Sequence, residues 1–159
     1  MTTAEHERLP RATSSVGRAR RPPYRQWRYL GLVATGGTVG TGLREGISLL
    51  VPDLGALPIA TFAINLFGAF MLGLLLDVLV RSGPDVGRRR GIRLLVGTGV
   101  LGGFTTYSAL ASATGVLLTA GEWWVAAGYA LGTVLLGTAA SVAGIALGHL
   151  ATPRSGERS

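Results

Sequence analysis

Four long apolar stretches, separated by short polar segments, dominate the chain. They cover about Trp27 to Leu50, Ile59 to Val80, Leu94 to Leu118 and Trp123 to Leu150. Each is long enough to cross a hydrocarbon core of about 30 Å as a helix rising about 1.5 Å per residue. The pattern therefore predicts an all-α integral membrane protein with four transmembrane helices.

Composition supports this interpretation and limits the chemistry. Hydrophobic residues make up 48% of the chain and charged residues 14%, against about 25% charged residues in soluble domains. There is no cysteine, which excludes disulfides and thiolate chemistry. Residues 1–28 form a basic tail that we expect to be disordered, residues 29–151 the membrane domain, and residues 152–159 a short C-terminal tail. The basic tail adjoins a membrane span, so its expected partner is the lipid surface and not a nucleic acid.

The arginines predict the orientation. Of fifteen, seven lie in residues 1–28, five in residues 81–93 and two in the C-terminal tail, which leaves Arg44 alone at the opposite ends of the spans. Arginine in short loops resists translocation. We therefore expect a multi-pass protein of the cell membrane with both termini and the middle loop in the cytoplasm.

One segment of the third span departs from a simple helix pattern. It reads Gly102-Gly103-Phe104-Thr105-Thr106-Tyr107-Ser108. Paired glycines before hydroxyl residues favour a helix broken in mid-membrane, and freed carbonyls there need an ion or a water-lined cavity. The alternative is an intact helix in which Thr and Ser bond back to their own carbonyls.

The second span carries a polar residue at its middle. The amide of Asn65 offers donors without a charge, which suits an anion that must shed water, and Thr61 lies one turn earlier on the same face. Interhelical hydrogen bonding is the alternative role for Asn65. With Gly68 and Leu72, Asn65 defines a small and polar face that we expect to look into protein.

Several classes of function lack candidates in the sequence. No carboxylate lies at the centre of a span, so proton-coupled transport through a buried acid has no candidate. His6 lies in the basic tail and His149 at the end of the last span, which we interpret as an interfacial position. No catalytic triad, phosphate loop or metal-binding cluster is present. We therefore expect a protein that is not an enzyme.

Taken in order along the chain, these residues are similar to those of a known family, the Fluc (CrcB) fluoride channels. The matching motifs are Gly36-Gly37 with Gly40 and Arg44, Thr61-x-x-x-Asn65-x-x-Gly68-x-Phe70, and Gly102-Gly103-Phe104-Thr105-Thr106-Tyr107-Ser108. The resemblance covers about residues 30–150. It leaves both tails outside.

The resemblance implies an antiparallel dimer with two fluoride pathways and a structural sodium ion (Na+) at the dimer centre. The backbone carbonyls of Gly102 and Thr105 would bind the sodium, and Asn65 would face fluoride. Further polar lining would come from Thr61, Thr106, Ser108 and Thr138. The family's paired phenylalanines are replaced here by Tyr107, which keeps a ring edge for the anion, and Leu110, which does not.

The resemblance also implies a fluoride-specific channel subunit that lets cytoplasmic fluoride leave passively. The strong arginine bias opposes insertion of the same chain in both directions, so we expect a paralogous partner of opposite orientation. The first alternative, motivated by Leu110, is a non-conducting structural subunit of a heterodimeric channel. The second is a small multidrug-type transporter, for which Glu45 lies too near the end of its span.

Overall fold

The computed structural model describes residues 27–52 and 57–151. The described part is helical and contains no β-strand. Its elements are α1 Trp27–Leu50, α2 Ile59–Arg81, α3 Gly87–Ile92, a π-helical segment Arg93–Leu101, the single turn α4 Gly102–Phe104, α5 Tyr107–Thr119 and α6 Trp123–Ala151. The predicted basic tail lies outside the described residues except for its last two, and so does the predicted C-terminal tail.

Three helical regions of the described residues are long and apolar enough to cross a membrane. They are Ile59–Arg81, Gly87–Thr119 and Trp123–Ala151. Helix α1 begins and ends at the residues predicted for the first span, but glycine, threonine and the Arg44–Glu45 pair make it less apolar. The prediction of helices is confirmed, and the count of four spans stays a prediction.

Helix α2 packs along α6, and α1 packs along the π-helical segment and α4. Glycines bring these helices close. A Cβ at Gly144 would meet the carbonyl of Phe70, and a Cβ at Gly40 would meet the carbonyl of Val100. In membranes, where lipid gives helices little hydrophobic incentive to associate, such close backbone approach supplies packing energy. The glycines at these contacts are therefore packing surfaces between helices.

The turn between α5 and α6 is closed by backbone geometry. Gly121 has φ +82°, which L side chains rarely adopt and glycine adopts freely. The Glu122 N–H donates to the Leu117 carbonyl at 2.9 Å, and the Gly121 N–H donates to the Leu118 carbonyl at 3.1 Å. This Schellman pattern satisfies the last carbonyls of α5 and reverses the chain into α6.

Few large side chains are buried within the single chain. Ala60, Ile64 and Phe104 form a small core, and the ring of Phe104 meets that of Phe67 edge to face at 6.2 Å. Many apolar residues of α6 face outwards, among them Leu131 at 62% exposure and Leu135 at 67%. An outward apolar surface of this extent fits a lipid environment.

Candidate functional site

The third helical region is interrupted at Thr105 and Thr106. Thr105 has φ −80° and ψ 156°, and Thr106 has φ −150° and ψ 120°. Both residues are extended, between the end of α4 and the start of α5. Two extended residues remove several i→i−4 hydrogen bonds at once. The polar groups released there need partners from elsewhere in the molecule.

Asn65 of α2 supplies two of these partners. The Thr106 N–H donates to Asn65 Oδ1 at 2.8 Å, and Asn65 Nδ2 donates to the Thr106 carbonyl at 3.0 Å. One amide side chain thus replaces both main-chain partners of a residue 41 positions away. Asn65 therefore forms the interhelical contact that the sequence left as its alternative role. One N–H of its amide remains after this pairing.

Two carbonyls at the interruption lose their usual helical donors. In a continuous helix the Thr106 N–H would donate to the Gly102 carbonyl, and the Ala109 N–H to the Thr105 carbonyl. Instead, the Thr106 N–H donates to Asn65, and the Ala109 N–H donates to the Thr106 hydroxyl at 3.2 Å. Both carbonyls belong to the residues that the resemblance assigns to sodium. Uncharged carbonyl oxygens are suitable ligands for a hard cation.

A cavity of about 510 Å³ adjoins the interruption. Its polar lining includes Asn65, Thr105, Thr106, Tyr107, Thr133, Thr138 and Ser141. Its apolar lining includes Gly68, Leu72, Leu101 and Leu110. None of these described lining residues is charged. The cavity can therefore stabilise a dehydrated ion only through dipoles, hydrogen bonds and ring edges.

Several hydroxyl protons at this cavity are already engaged. Thr138 Oγ1 donates to the Val134 carbonyl at 2.8 Å, and Thr105 Oγ1 donates to the Leu101 carbonyl at 2.9 Å. Such bonds to the preceding turn are usual for hydroxyl residues in membrane helices. Each of these hydroxyls would have to rotate before it could donate to an anion in the cavity.

Comparison with known proteins places the chain in a family. The family model described as CrcB-like protein, Camphor Resistance (CrcB), matches residues 31–145. The chain belongs to the CrcB family. The matched residues include α2, the interruption and the cavity, and several apolar helices make this CrcB-family chain a multi-pass membrane protein.

Relatives of this CrcB-family chain carry one functional name. Fluoride-specific ion channel FluC 2 of Leifsonia xyli subsp. xyli is 48% identical over 127 residues, covering 80% of this chain and 88% of the relative. Fluoride-specific ion channel FluC 1 of Cutibacterium acnes is 48% identical over 109 residues, covering 68% and 76%. Fluoride-specific ion channel FluC of Paracoccus denitrificans is 41% identical over 118 residues, covering 74% and 91%.

Most of the predicted site residues of this CrcB-family protein lie together at the cavity. Those at the cavity are Asn65, Gly102, Thr105, Thr106, Tyr107 and Thr138. Thr61 and Ser108 are not among the lining residues, although Ser108 Oγ lies 3.0 Å from Thr106 Oγ1. The predicted inward face of α2 is confirmed, since Gly68 is buried and packs against the Thr105 methyl group. The binding roles of these residues stay predictions.

Two polar residues of the cavity were missed in the sequence. Thr133 is 8% exposed, and Ser141 packs against Gly73 of α2. Together with Gly137 they follow one another every four residues along α6. This spacing places them on a single helix face, so a search for small and polar residues at helical spacing would have found them.

The atoms that could bind a metal ion at this site are uncharged oxygens. Among the described residues, no group of three or more His, Cys, Asp or Glu side chains is close enough to hold a metal ion. The oxygens released at the interruption are backbone carbonyls. A cation at this site would have to be bound by uncharged oxygens, among which are these main-chain carbonyls.

Proposed function

We propose that this chain is a subunit of a fluoride-specific ion channel in the cell membrane, through which cytoplasmic fluoride leaves passively. The observation that carries the proposal is the pairing of the Asn65 amide with the interrupted backbone at Thr106, beside an uncharged cavity. Membership of the CrcB family and the relatives named fluoride-specific ion channel support it.

The proposed role of the site is to replace the hydration water of fluoride. The remaining N–H of Asn65 is a donor that carries no charge, so it can bind an anion without trapping it. The other polar groups of the proposed pathway are those of Thr61, Thr106, Ser108 and Thr138. Tyr107 adds the electropositive edge of its ring, which is 80% exposed on the single chain.

Structural sodium is part of the proposal because the backbone at the interruption fits it. The carbonyls of Gly102 and Thr105 would hold the ion, since the amide protons that usually bond them are engaged by Asn65 and Thr106. Bound sodium would neutralise these carbonyl dipoles. Two oxygens are too few for the coordination shell of a hard cation, so a second subunit would supply more.

The proposed partner is an antiparallel subunit encoded by a paralogous gene. The described arginines other than Arg44 lie at one end of the helices, where the Arg81 guanidinium donates to His149 at 2.9 Å and Arg28 and Arg88 line one groove. This end would face the cytoplasm together with both termini. Names numbered FluC 1, FluC 2 and FluC 3 among the relatives are compatible with several such subunits in one organism.

Fluoride efflux from liposomes, followed with a fluoride electrode, tests the proposal. The chain is reconstituted alone and then after co-expression with a paralogue from the same genome, and liposomes loaded with chloride serve as the selectivity control. We expect fluoride efflux, with chloride retained, from the pair. Absence of fluoride efflux from both preparations, with folded protein present, would refute the channel.

A non-conducting structural subunit is the second candidate, and Leu110 favours it. Leu110 is 7% exposed and lines the cavity beside Tyr107, where it offers the anion no electropositive ring edge. The paired channel with Leu110→Phe separates the two candidates. A gain in efflux would mean that Leu110 closes one pathway, and unchanged efflux would mean that this pathway conducts with leucine.

A further inference from the structure

A second groove lies at the arginine-rich end of the molecule, between the start of α1 and the α3 end of the third helical region. Its volume is about 810 Å³. Its lining includes Arg28, Gly31, Leu32, Gly87, Arg88, Ile92 and Leu95. It shares no lining residue with the cavity at the interruption.

Glycines keep this groove open. A Cβ at Gly31 or Gly87 would meet no atom within 4 Å. Further along the same two helices, a Cβ at Gly99 would lie 2.9 Å from the Gly36 Cα. The helices therefore touch at their middle and separate toward the arginine-rich end. Because Gly31 and Gly87 have no side chains, the space between the helices stays open to the surface.

The groove combines a cationic rim with an apolar floor. Arg28 and Arg88 are exposed, and neither forms an ion pair within residues 27–52 and 57–151. The carboxylate of Asp85 is shared by Arg90 at 3.6 Å and Arg93 at 2.7 Å. The floor is formed by leucine and isoleucine. Two guanidinium groups without an ion pair among the described residues, above an aliphatic surface, match an amphiphile with an anionic head.

We propose that this groove binds an acidic phospholipid, with its phosphate between Arg28 and Arg88 and its upper acyl chain on Leu32, Ile92 and Leu95. Guanidinium groups bind phosphate oxygens in a bidentate manner. Trp27 is 86% exposed, and exposed tryptophan beside a membrane span settles at headgroup depth. Basic pockets between helices on the cytoplasmic side are suited to such headgroups. The proposal does not depend on fluoride conduction.

Quenching of Trp27 fluorescence by brominated lipids tests the groove. The full chain carrying Trp123→Phe and Trp124→Phe retains Trp27 as its single tryptophan. It is reconstituted in phosphatidylcholine vesicles with increasing fractions of brominated phosphatidylglycerol or brominated phosphatidylcholine. We expect stronger quenching by phosphatidylglycerol, and a relative affinity that falls roughly fivefold for each of Arg28→Gln and Arg88→Gln.

Matched variants separate a site from a general surface potential. Arg89→Gln removes the same charge one residue away from Arg88, at a side chain that borders a different cavity, and should keep the preference for phosphatidylglycerol. Gly31→Leu fills the groove and retains both arginines, so it should abolish the preference. Gly128→Leu also enters open space and should not affect it.

Three results would overturn the proposal. Equal quenching by the two brominated lipids would mean that the groove does not select the headgroup. A loss of preference in Arg89→Gln as large as that in Arg88→Gln would assign the effect to surface charge in general. Displacement of brominated phosphatidylglycerol by excess inorganic phosphate would identify a free anion as the occupant.

Discussion

Two helix interfaces of this protein rely on close glycine contacts and differ in the regularity of the backbone that they join. Between α2 and α6, Gly73 and Gly144 approach the carbonyls of Ser141 and Phe70, and both helices are regular over 23 and 29 residues. Between α1 and the third helical region, Gly36 and Gly40 approach a backbone that is π-helical and then interrupted.

The difference shows how irregular backbone is stabilised inside a membrane. A regular helix satisfies its own polar groups, so the α2–α6 interface needs only close packing. At the interruption, side chains from two neighbouring helices supply the missing partners. Asn65 of α2 bonds Thr106, and Thr41 of α1 donates to the Gly103 carbonyl at 3.4 Å. Both interfaces contribute residues to the cavity. The first joins two regular helices, and the second also stabilises the irregular backbone of the candidate site.

The largest expected effect comes from Asn65→Asp. The carboxylate can still accept from the Thr106 N–H but cannot donate to the Thr106 carbonyl, and it places a negative charge against the anion. We expect fluoride efflux to fall by roughly two orders of magnitude or more, because a like charge in contact with the anion raises the barrier to conduction by several kcal/mol. Asn65→Gln, which keeps an uncharged amide, is the control. Unchanged efflux from Asn65→Asp would contradict the proposed role.

Gly40→Ala should have the next largest effect, at the interface with irregular backbone. Its Cβ would meet the Val100 carbonyl, a backbone atom that cannot yield without moving the π-helical segment. We expect a loss of about 3 kcal/mol in the free energy of unfolding, measured in detergent, together with reduced efflux.

Gly42→Ala is the matched control for this interface. Its Cβ would enter open space, so the better helix propensity of alanine should leave stability equal or higher by up to about 1 kcal/mol. Equal melting temperatures for Gly40→Ala and Gly42→Ala would disprove the close contact between α1 and the π-helical segment.

Gly144→Ala probes the regular interface in the same way. Its Cβ would meet the Phe70 carbonyl, and we expect a loss of about 2 kcal/mol in unfolding free energy. Efflux per folded molecule should persist, since α2 and α6 keep their own hydrogen bonds. Gly132→Ala, where the Cβ meets nothing within 4 Å, should be neutral. A selective loss of efflux in Gly144→Ala would contradict the expectation that the α2–α6 contact contributes to stability alone.

The smallest expected effect is that of Thr106→Val. The Thr106 hydroxyl caps α5 by accepting from the Ala109 N–H, and loss of such a cap costs about 1 kcal/mol. Thr114→Val is the control, because its hydroxyl donates to the Leu110 carbonyl inside α5 and caps nothing. A lower melting temperature for Thr114→Val than for Thr106→Val would contradict the capping role.

Much of the fold and part of the site followed from sequence patterns. The bounds of α1 were predicted to the residue, and those of α2 and α6 to within one residue at their ends. The third helical region begins at Gly87, seven residues before its predicted start at Leu94. Its first turns carry Arg88 to Arg90, and this run of charged residues led to the prediction of a loop. Thr133 and Ser141 were missed in the sequence, although their four-residue spacing with Gly137 places them on one face of α6.

By itself, the sequence determined the apolar helices, the arginine-rich end and the polar character of Asn65 and Thr106. These are local properties, since the cost of charge in lipid and the length of an apolar stretch depend on neighbouring residues alone. Only the tertiary structure decided that Asn65 bonds the main chain of Thr106 and that Arg28 and Arg88 line the same groove. Both pairings join distant residues, and glycine contacts between helices set the distance and rotation that allow them.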